Sequence, residues 1–126
     1  MIGRILTALV GILHVYFGVS EIFLWNDFAT DLLGPQSEKF FEHTSAMAAN
    51  QGVYNFFLAA GLLLAAIGAF GTASKQVALY FLLCVIVAGV FGFYSFNFER
   101  HAFLLFQALP GLVALVATLF LWKRKA

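Results

Sequence analysis

Charged residues are scarce in this chain of 126 amino acids, and their scarcity alone excludes most classes of protein. Only 10% of the residues are charged, against about 25% in a soluble domain, whereas 63% are hydrophobic. A chain of this length buries only about 60–70% of its surface on folding, so this much apolar surface cannot be hidden from water. A soluble globular protein is therefore excluded, and the 16 phenylalanines exclude a disordered one.

Other features are missing as well. Seven basic against six acidic residues give a net charge of +1, so no nucleic-acid partner is expected. The single cysteine, Cys84, cannot form an intrachain disulfide. The sequence contains no glycine-rich phosphate loop, no pair of histidines at helical spacing, no cysteine pair and no nucleophile elbow. We therefore predict no cofactor and no metal site, and we assign no catalytic residue.

What the sequence contains instead is four apolar stretches, each with the roughly 20 residues that a membrane-spanning helix requires. They are residues 2–25, 46–70, 76–96 and 102–122. Four such spans use about two thirds of the chain and leave no room for a second domain. The predicted fold class is all-α, a four-transmembrane-helix bundle that forms one integral membrane domain over residues 1–126.

The basic residues predict the orientation. The first span is longer than the apolar core of a signal peptide, so we expect it to stay in the mature protein. With both termini in the cytoplasm, two basic residues lie outside, Lys39 and Arg100, and five lie inside: Arg4, Lys75, Lys123, Arg124 and Lys125. Positive residues accumulate on the cytoplasmic side, which favours this orientation.

The connection between the first two spans, residues 26–45, contains most of the acidic residues. Pro35 followed by Glu38 is typical of a helix start, because proline and an acidic residue both favour the first turn. We therefore expect the second helix to begin near Gln36, outside the membrane, and to continue to Phe70. The alternative is a separate helix that rests on the membrane surface.

Polar residues in the first span share one helix face. Residues three and four apart are neighbours on a helix, and steps of this size connect Arg4, Thr7, Gly11, His14, Gly18, Glu21 and Trp25. A polar face with small residues turns toward other helices rather than toward lipid. At a rise of 1.5 Å per residue, Glu21 lies ~6 Å and His14 ~16 Å below the outer end of this span.

The other spans place polar residues at similar depths. Four of them in the second span fall within an arc of about 140° on its surface, and one more lies in the fourth span. We expect the His14–Glu21 face of the first helix to pack against the Asn50–Asn55 face of the second. The predicted site is a polar pocket in the outer half of the membrane, lined by His14, Glu21, Asn50, Gln51, Tyr54, Asn55 and Gln107.

Each of these residues also has a purely structural interpretation. Glu21 is close enough to a helix end to reach the lipid headgroups, and a buried histidine such as His14 commonly forms one internal hydrogen bond. Amides in membrane helices often only join helices to one another, by about 0.6–2 kcal/mol each. The pocket is favoured because a carboxyl group, an imidazole and several amides converge at one depth, which packing alone does not require.

The sequence also resembles a known family. Four parts of the sequence carry the resemblance: His14, Glu21 and Phe23-Leu24-Trp25; the block Asn50-Gln51-Gly52-Val53-Tyr54-Asn55; Ala88-Gly89-Val90-Phe91-Gly92; and Gln107-Ala108-Leu109-Pro110. They are similar to domain-of-unknown-function family thirteen-oh-four. This resemblance covers nearly the whole chain. It implies a small bacterial protein with four membrane helices, located in the plasma (inner) membrane, and it implies no activity.

Three functions fit these residues. The first is binding or transport of a small polar or amphipathic ligand, with Glu21 supplying charge or proton coupling and His14 a deeper titratable partner. The second is an enzyme in which one of these two groups acts as general acid or base on a lipid-soluble substrate. The third is a structural assembly partner. Membrane lipid is the expected surrounding, and the sequence leaves open a homo-oligomer.

Overall fold

The computed structural model describes residues 1–122, and within them the chain is helical, with no β-strand. Five α-helices follow one another: α1 (Ile2–Phe23), α2 (Trp25–Leu33), α3 (Glu38–Ile67), α4 (Ser74–Ser95) and α5 (Leu109–Leu121). A 3₁₀ turn (Gly71–Ala73) precedes α4, and a π-helical turn (Leu104–Ala108) precedes α5. The predicted all-α class is confirmed. Lys123, Arg124 and Lys125, which were counted for orientation, lie outside the described residues.

Four helical stretches are long and apolar enough to cross a membrane. They comprise Ile2–Phe23, Glu38–Ile67, Gly71–Ser95 and Leu104–Leu121. Their outward surfaces are apolar, as Leu9 (54% exposed) and Phe120 (79% exposed) illustrate. Apolar side chains directed away from the other helices suit a lipid environment. The chain is thus a multi-pass membrane protein by the length and composition of its helices.

The second long helix, α3, begins before its apolar stretch, as the sequence predicts. The Phe40 N–H donates to Oγ of Ser37 at 3.2 Å, so Ser37 caps the helix. The first helical residue is Glu38, two residues beyond the expected start at Gln36. The helix then continues without a break to Ile67 and ends at Gly68, whose left-handed conformation (φ 88°) terminates it. No separate surface helix forms over residues 38–45.

The short helix α2 is absent from the sequence prediction, which treats residues 26–45 as a connection. Its nine residues contain no long apolar run, so hydropathy gives no signal for it. Aromatic contacts hold it instead: Nε1 of Trp25 donates to Oγ1 of Thr44 at 2.9 Å, and its ring stacks on Phe40 with centroids 6.4 Å apart. Helix α2 is thereby attached to the N-terminal end of α3.

The four long helices surround one apolar core. Helix α1 packs along α3 and α5, and α4 packs along the same two helices from the other side. Every long helix contributes to the core, which consists of Val10, Leu62, Leu82, Val85 and Ala114. The most extensive contact lies between α1 and α3.

Two glycines allow α1 and α3 to approach each other backbone to backbone. A Cβ atom at Gly52 would lie 2.8 Å from the carbonyl oxygen of Gly18, and one at Gly18 would lie 3.0 Å from the carbonyl oxygen of Gly52. A backbone oxygen cannot move aside as a side chain can. Both positions therefore require glycine for the helices to keep this distance.

Replacing Gly52 by alanine tests this contact. Alanine is the better helix former by about 1 kcal/mol, but overpacking costs about 1–3 kcal/mol, so we expect a net loss of about 1 kcal/mol in the free energy of unfolding. The measurement is reversible unfolding in detergent micelles. Ala60→Val on the exposed side of the same helix is the control, with an expected change within about 0.5 kcal/mol. Equal losses in both variants would contradict the close approach.

Candidate functional site

A polar stripe runs along α1 with a spacing of seven residues, through Thr7, His14 and Glu21. Seven residues make nearly two helical turns, so these side chains share one face at intervals of about 10 Å. Thr7 and His14 are completely buried, and Glu21 is partly buried. The stripe therefore faces the neighbouring helices, as the sequence predicts for a polar face.

The C-terminal member of the stripe, Glu21, is joined to α3. Nδ2 of Asn55 donates a hydrogen bond to Oε2 of Glu21 at 2.7 Å. The close contact of Gly18 with Gly52 lies one turn away on both helices and sets the separation at which this bond forms. The carboxyl group of Glu21 thus has an interhelical partner.

The N-terminal member of the stripe, Thr7, is joined to α5. Oγ1 of Thr7 donates to the carbonyl oxygen of Gly3 at 2.8 Å, one turn back in the same helix. Oγ1 of Thr118 lies 3.1 Å from Oγ1 of Thr7. Oγ1 of Thr118 also lies 3.4 Å from the carbonyl oxygen of Gly3. Because the Thr7 proton is already used, the Thr118 hydroxyl donates to α1, either to Oγ1 of Thr7 or to the carbonyl oxygen of Gly3.

The middle member, His14, has no interhelical bond. Its Nδ1 lies 2.8 Å from the carbonyl oxygen of Val10. A carbonyl oxygen only accepts, so Nδ1 carries a proton and donates it, and in the neutral ring Nε2 is then a free acceptor. Nε2 is buried and has no hydrogen-bond partner among the residues that the structure describes. The edge of the imidazole rests against Phe17, with centroids 5.4 Å apart.

The chemistry available here is hydrogen bonding. The stripe offers an imidazole acceptor near the middle of α1 and a carboxyl group about 10 Å nearer the C-terminal end of that helix. Within residues 1–122, no group of three or more His, Cys, Asp or Glu side chains is placed to hold a metal ion.

The structure brings together some of the predicted pocket residues and separates others. Asn55 faces α1 and bonds to Glu21, whereas Asn50, Gln51 and Tyr54 are exposed on α3. The arc of 140° explains the difference: at 100° per residue, Asn50 and Asn55 stand at its opposite edges, and only one edge can face α1.

Gln107 belongs to the π-helical turn before α5. This turn packs against α4 and α5, and Gln107 is partly buried there. Among the described side chains, it forms no hydrogen bond with His14 or Glu21. Pro110 accounts for the irregular winding, because it has no N–H to donate to the carbonyl of Phe106 one turn earlier.

Two contributors to the stripe are missing from the predicted pocket. Thr118 is a threonine in an otherwise apolar helix, which by itself indicates little. Its signal is the stripe on α1, since Thr7 lies seven residues before His14 and its hydroxyl oxygen can accept a bond from a neighbouring helix. The carbonyl of Val10 is invisible to residue-type reasoning, because every residue has one.

Two concave surfaces lie near the stripe. A cleft of about 320 Å³ at the C-terminal end of α1 is lined by Ile22, Phe23, Leu24, Trp25, Asn26, Asp27 and Ser45. An apolar groove of about 380 Å³ separates α1 from α5 at mid-depth and is lined by Leu6, Leu9, Val10, Leu13, Leu109, Pro110 and Val113. Glu21 is not among the residues that line the first, and His14 is not among those that line the second.

Comparison with known proteins gives one match. The family model described as "Protein of unknown function (DUF1304)" matches residues 8–119, which include His14, Glu21 and Asn55. No curated protein and no solved structure matches the chain.

The Glu21–Asn55 bond predicts unequal effects for two asparagines of one helix. Asn55→Leu removes the partner of a partly buried carboxyl group, so we expect a loss of about 1–2 kcal/mol in the free energy of unfolding in micelles. Asn50→Leu, on the exposed side of α3, should change it by less than about 0.5 kcal/mol. Glu21→Gln should retain most of the stability, because the glutamine oxygen still accepts from Asn55. A larger loss for Asn50→Leu than for Asn55→Leu would contradict the assignment.

Proposed function

The chain belongs to the DUF1304 family, whose function is not known, and from its geometry we propose that it binds or transports a small polar or amphipathic ligand between α1 and α3. The proposed location is the outer half of a bacterial plasma membrane. In this proposal His14 bonds to the ligand, and Glu21 with Asn55 forms the outer boundary of the site.

The observation that carries the proposal is that Nε2 of His14 is buried and has no hydrogen-bond partner among the described residues. A buried polar atom without a partner costs about 1–3 kcal/mol. The polar residues on either side of it on the stripe each have an interhelical partner. Glu21 is bonded to a residue of α3, and Thr7 is bonded to a residue of α5. A bound molecule with a hydroxyl or amine donor would satisfy Nε2 at the depth where the protein itself offers nothing.

The other predicted pocket residues have a different role in this proposal. Asn50, Gln51 and Tyr54 are exposed on the side of α3 that does not carry the Glu21 contact. They would contact lipid headgroups or a second copy of the chain rather than a ligand at His14. Gln107, half-buried against α4, would contribute only if the ligand extended toward the π-helical turn.

The proposed orientation places both termini in the cytoplasm. Single cysteines at positions 39 and 75 test it, in a Cys84→Ala background that removes the native thiol. An impermeant maleimide should label Lys39→Cys in intact cells and Lys75→Cys only after permeabilisation. Labelling of position 75 but not of position 39 in intact cells would reverse the orientation.

Native mass spectrometry of the detergent-extracted protein tests ligand binding at His14. We expect the wild-type chain to retain a small molecule and His14→Leu to lose it, because leucine has no acceptor. In the ligand-free protein, His14→Leu should be as stable as the wild type or more so, since it removes an unpaired buried polar atom. A structural histidine would give the opposite result, with lower stability and no change in bound material.

The chain offers a matched control in His43. Its Nδ1 bonds to the carbonyl of Lys39 at 2.7 Å, four residues back, with the same geometry as in His14, but the side chain is exposed. His43→Leu should retain the bound molecule. Loss of the molecule in both variants would contradict a site at His14, and recovery of a chemically altered molecule would favour the enzyme interpretation over binding.

A further inference from the structure

Charges of opposite sign are separated along this molecule. The six acidic residues lie in the outer half of α1, in α2, at the start of α3 and after α4: Glu21, Asp27, Asp31, Glu38, Glu42 and Glu99. The opposite end is formed by the start of α1, the end of α3, the start of α4 and the end of α5. None of these segments contains an acidic residue. Two basic residues, Arg4 and Lys75, lie there.

Both cations converge on the last turn of α5. Nζ of Lys75 donates to the carbonyl oxygen of Leu119 at 2.9 Å. The guanidinium of Arg4 lies over the ring of Trp122, 5.0 Å from its centroid. Leu119 and Trp122 are three residues apart, which is less than one helical turn. Side chains from α1 and α4 thus bring two positive charges to the same end of α5.

The surroundings of Arg4 leave part of its hydrogen-bonding capacity unused. Its guanidinium rests against Gly68, where a Cβ atom would lie 3.4 Å from Nη1. Its Nε is buried and has no hydrogen-bond partner among residues 1–122. A guanidinium offers five N–H donors in a planar fork that matches a phosphate group. Orientation in the membrane requires positive charge at this end, but it does not require an arginine to lie over an aromatic ring or a lysine to bond to the last turn of α5.

The nearby surface is apolar and open. Ile2 is 52% exposed, Phe120 79% and Leu121 47%. Phosphate-binding cations beside exposed apolar side chains suit an amphiphile, with its headgroup on the cations and its chains along the helices. Three further basic residues, Lys123, Arg124 and Lys125, follow directly in the sequence.

We propose that the phosphate of an anionic phospholipid binds between Arg4 and Lys75 at this end of the molecule. The site lies at the end opposite to the Glu21–Asn55 pair and is independent of a ligand at His14. The same chemistry would recognise free phosphate, so the experiment separates the two sources.

The test is lipid titration of the full chain, followed by native mass spectrometry. Phosphatidylglycerol should bind at least about fivefold more tightly than phosphatidylcholine, because one basic residue near an anionic lipid contributes roughly this factor. Lys75→Gln and Arg4→Gln should each reduce the preference about fivefold. Arg4→Lys, which retains the charge, should reduce it less. Inorganic phosphate at the same concentrations should not compete.

Lys39→Gln is the matched control, because it removes one exposed positive charge at the other end of the molecule. It should leave the preference unchanged. Equal binding of the two lipids, or equal effects of Lys39→Gln and Lys75→Gln, would overturn the proposal. Competition by inorganic phosphate would show that the site binds a free anion and would overturn the proposal of a lipid. If Arg4→Gln does not fold, Lys75→Gln and Arg4→Lys still decide the question.

Discussion

The close contact between α1 and α3 at Gly18 and Gly52 is the constraint on which the candidate site depends. Because neither residue has a side chain, the two backbones come near enough for Asn55 to reach the carboxyl group of Glu21. The same proximity keeps His14 completely buried. A larger residue at either glycine would separate the helices by the width of a side chain and open this interface to its surroundings.

Much of the architecture could be predicted from hydropathy and helix signals. The four apolar stretches correspond to the four long helices, and the helix start that the sequence predicts near Gln36 lies two residues before the start of α3 at Glu38. Helix α2 could not be predicted in this way, because aromatic contacts with the rest of the chain hold it and its own pattern does not. Tertiary contacts of this kind have no local signature.

The site was only partly accessible to such reasoning. Helical periodicity correctly identified the polar face of α1, because a helix face depends only on local geometry. It could not decide which edge of the amide block on α3 turns toward α1, since that depends on how the two helices are rotated against each other. For this reason Asn55 and Asn50 are equivalent in the sequence and different in the structure.

The stripe on α1 changes its neighbour along its length. Thr7 is bonded to α5, whereas Glu21, two heptads later, is bonded to α3. Rotation of α1 about its own axis would break both bonds at once, so the two bonded pairs together fix the rotation of this helix. His14 lies midway between them and is held in its angular position without an interhelical bond of its own. The rotation of α1 therefore does not depend on a hydrogen bond from Nε2 of His14.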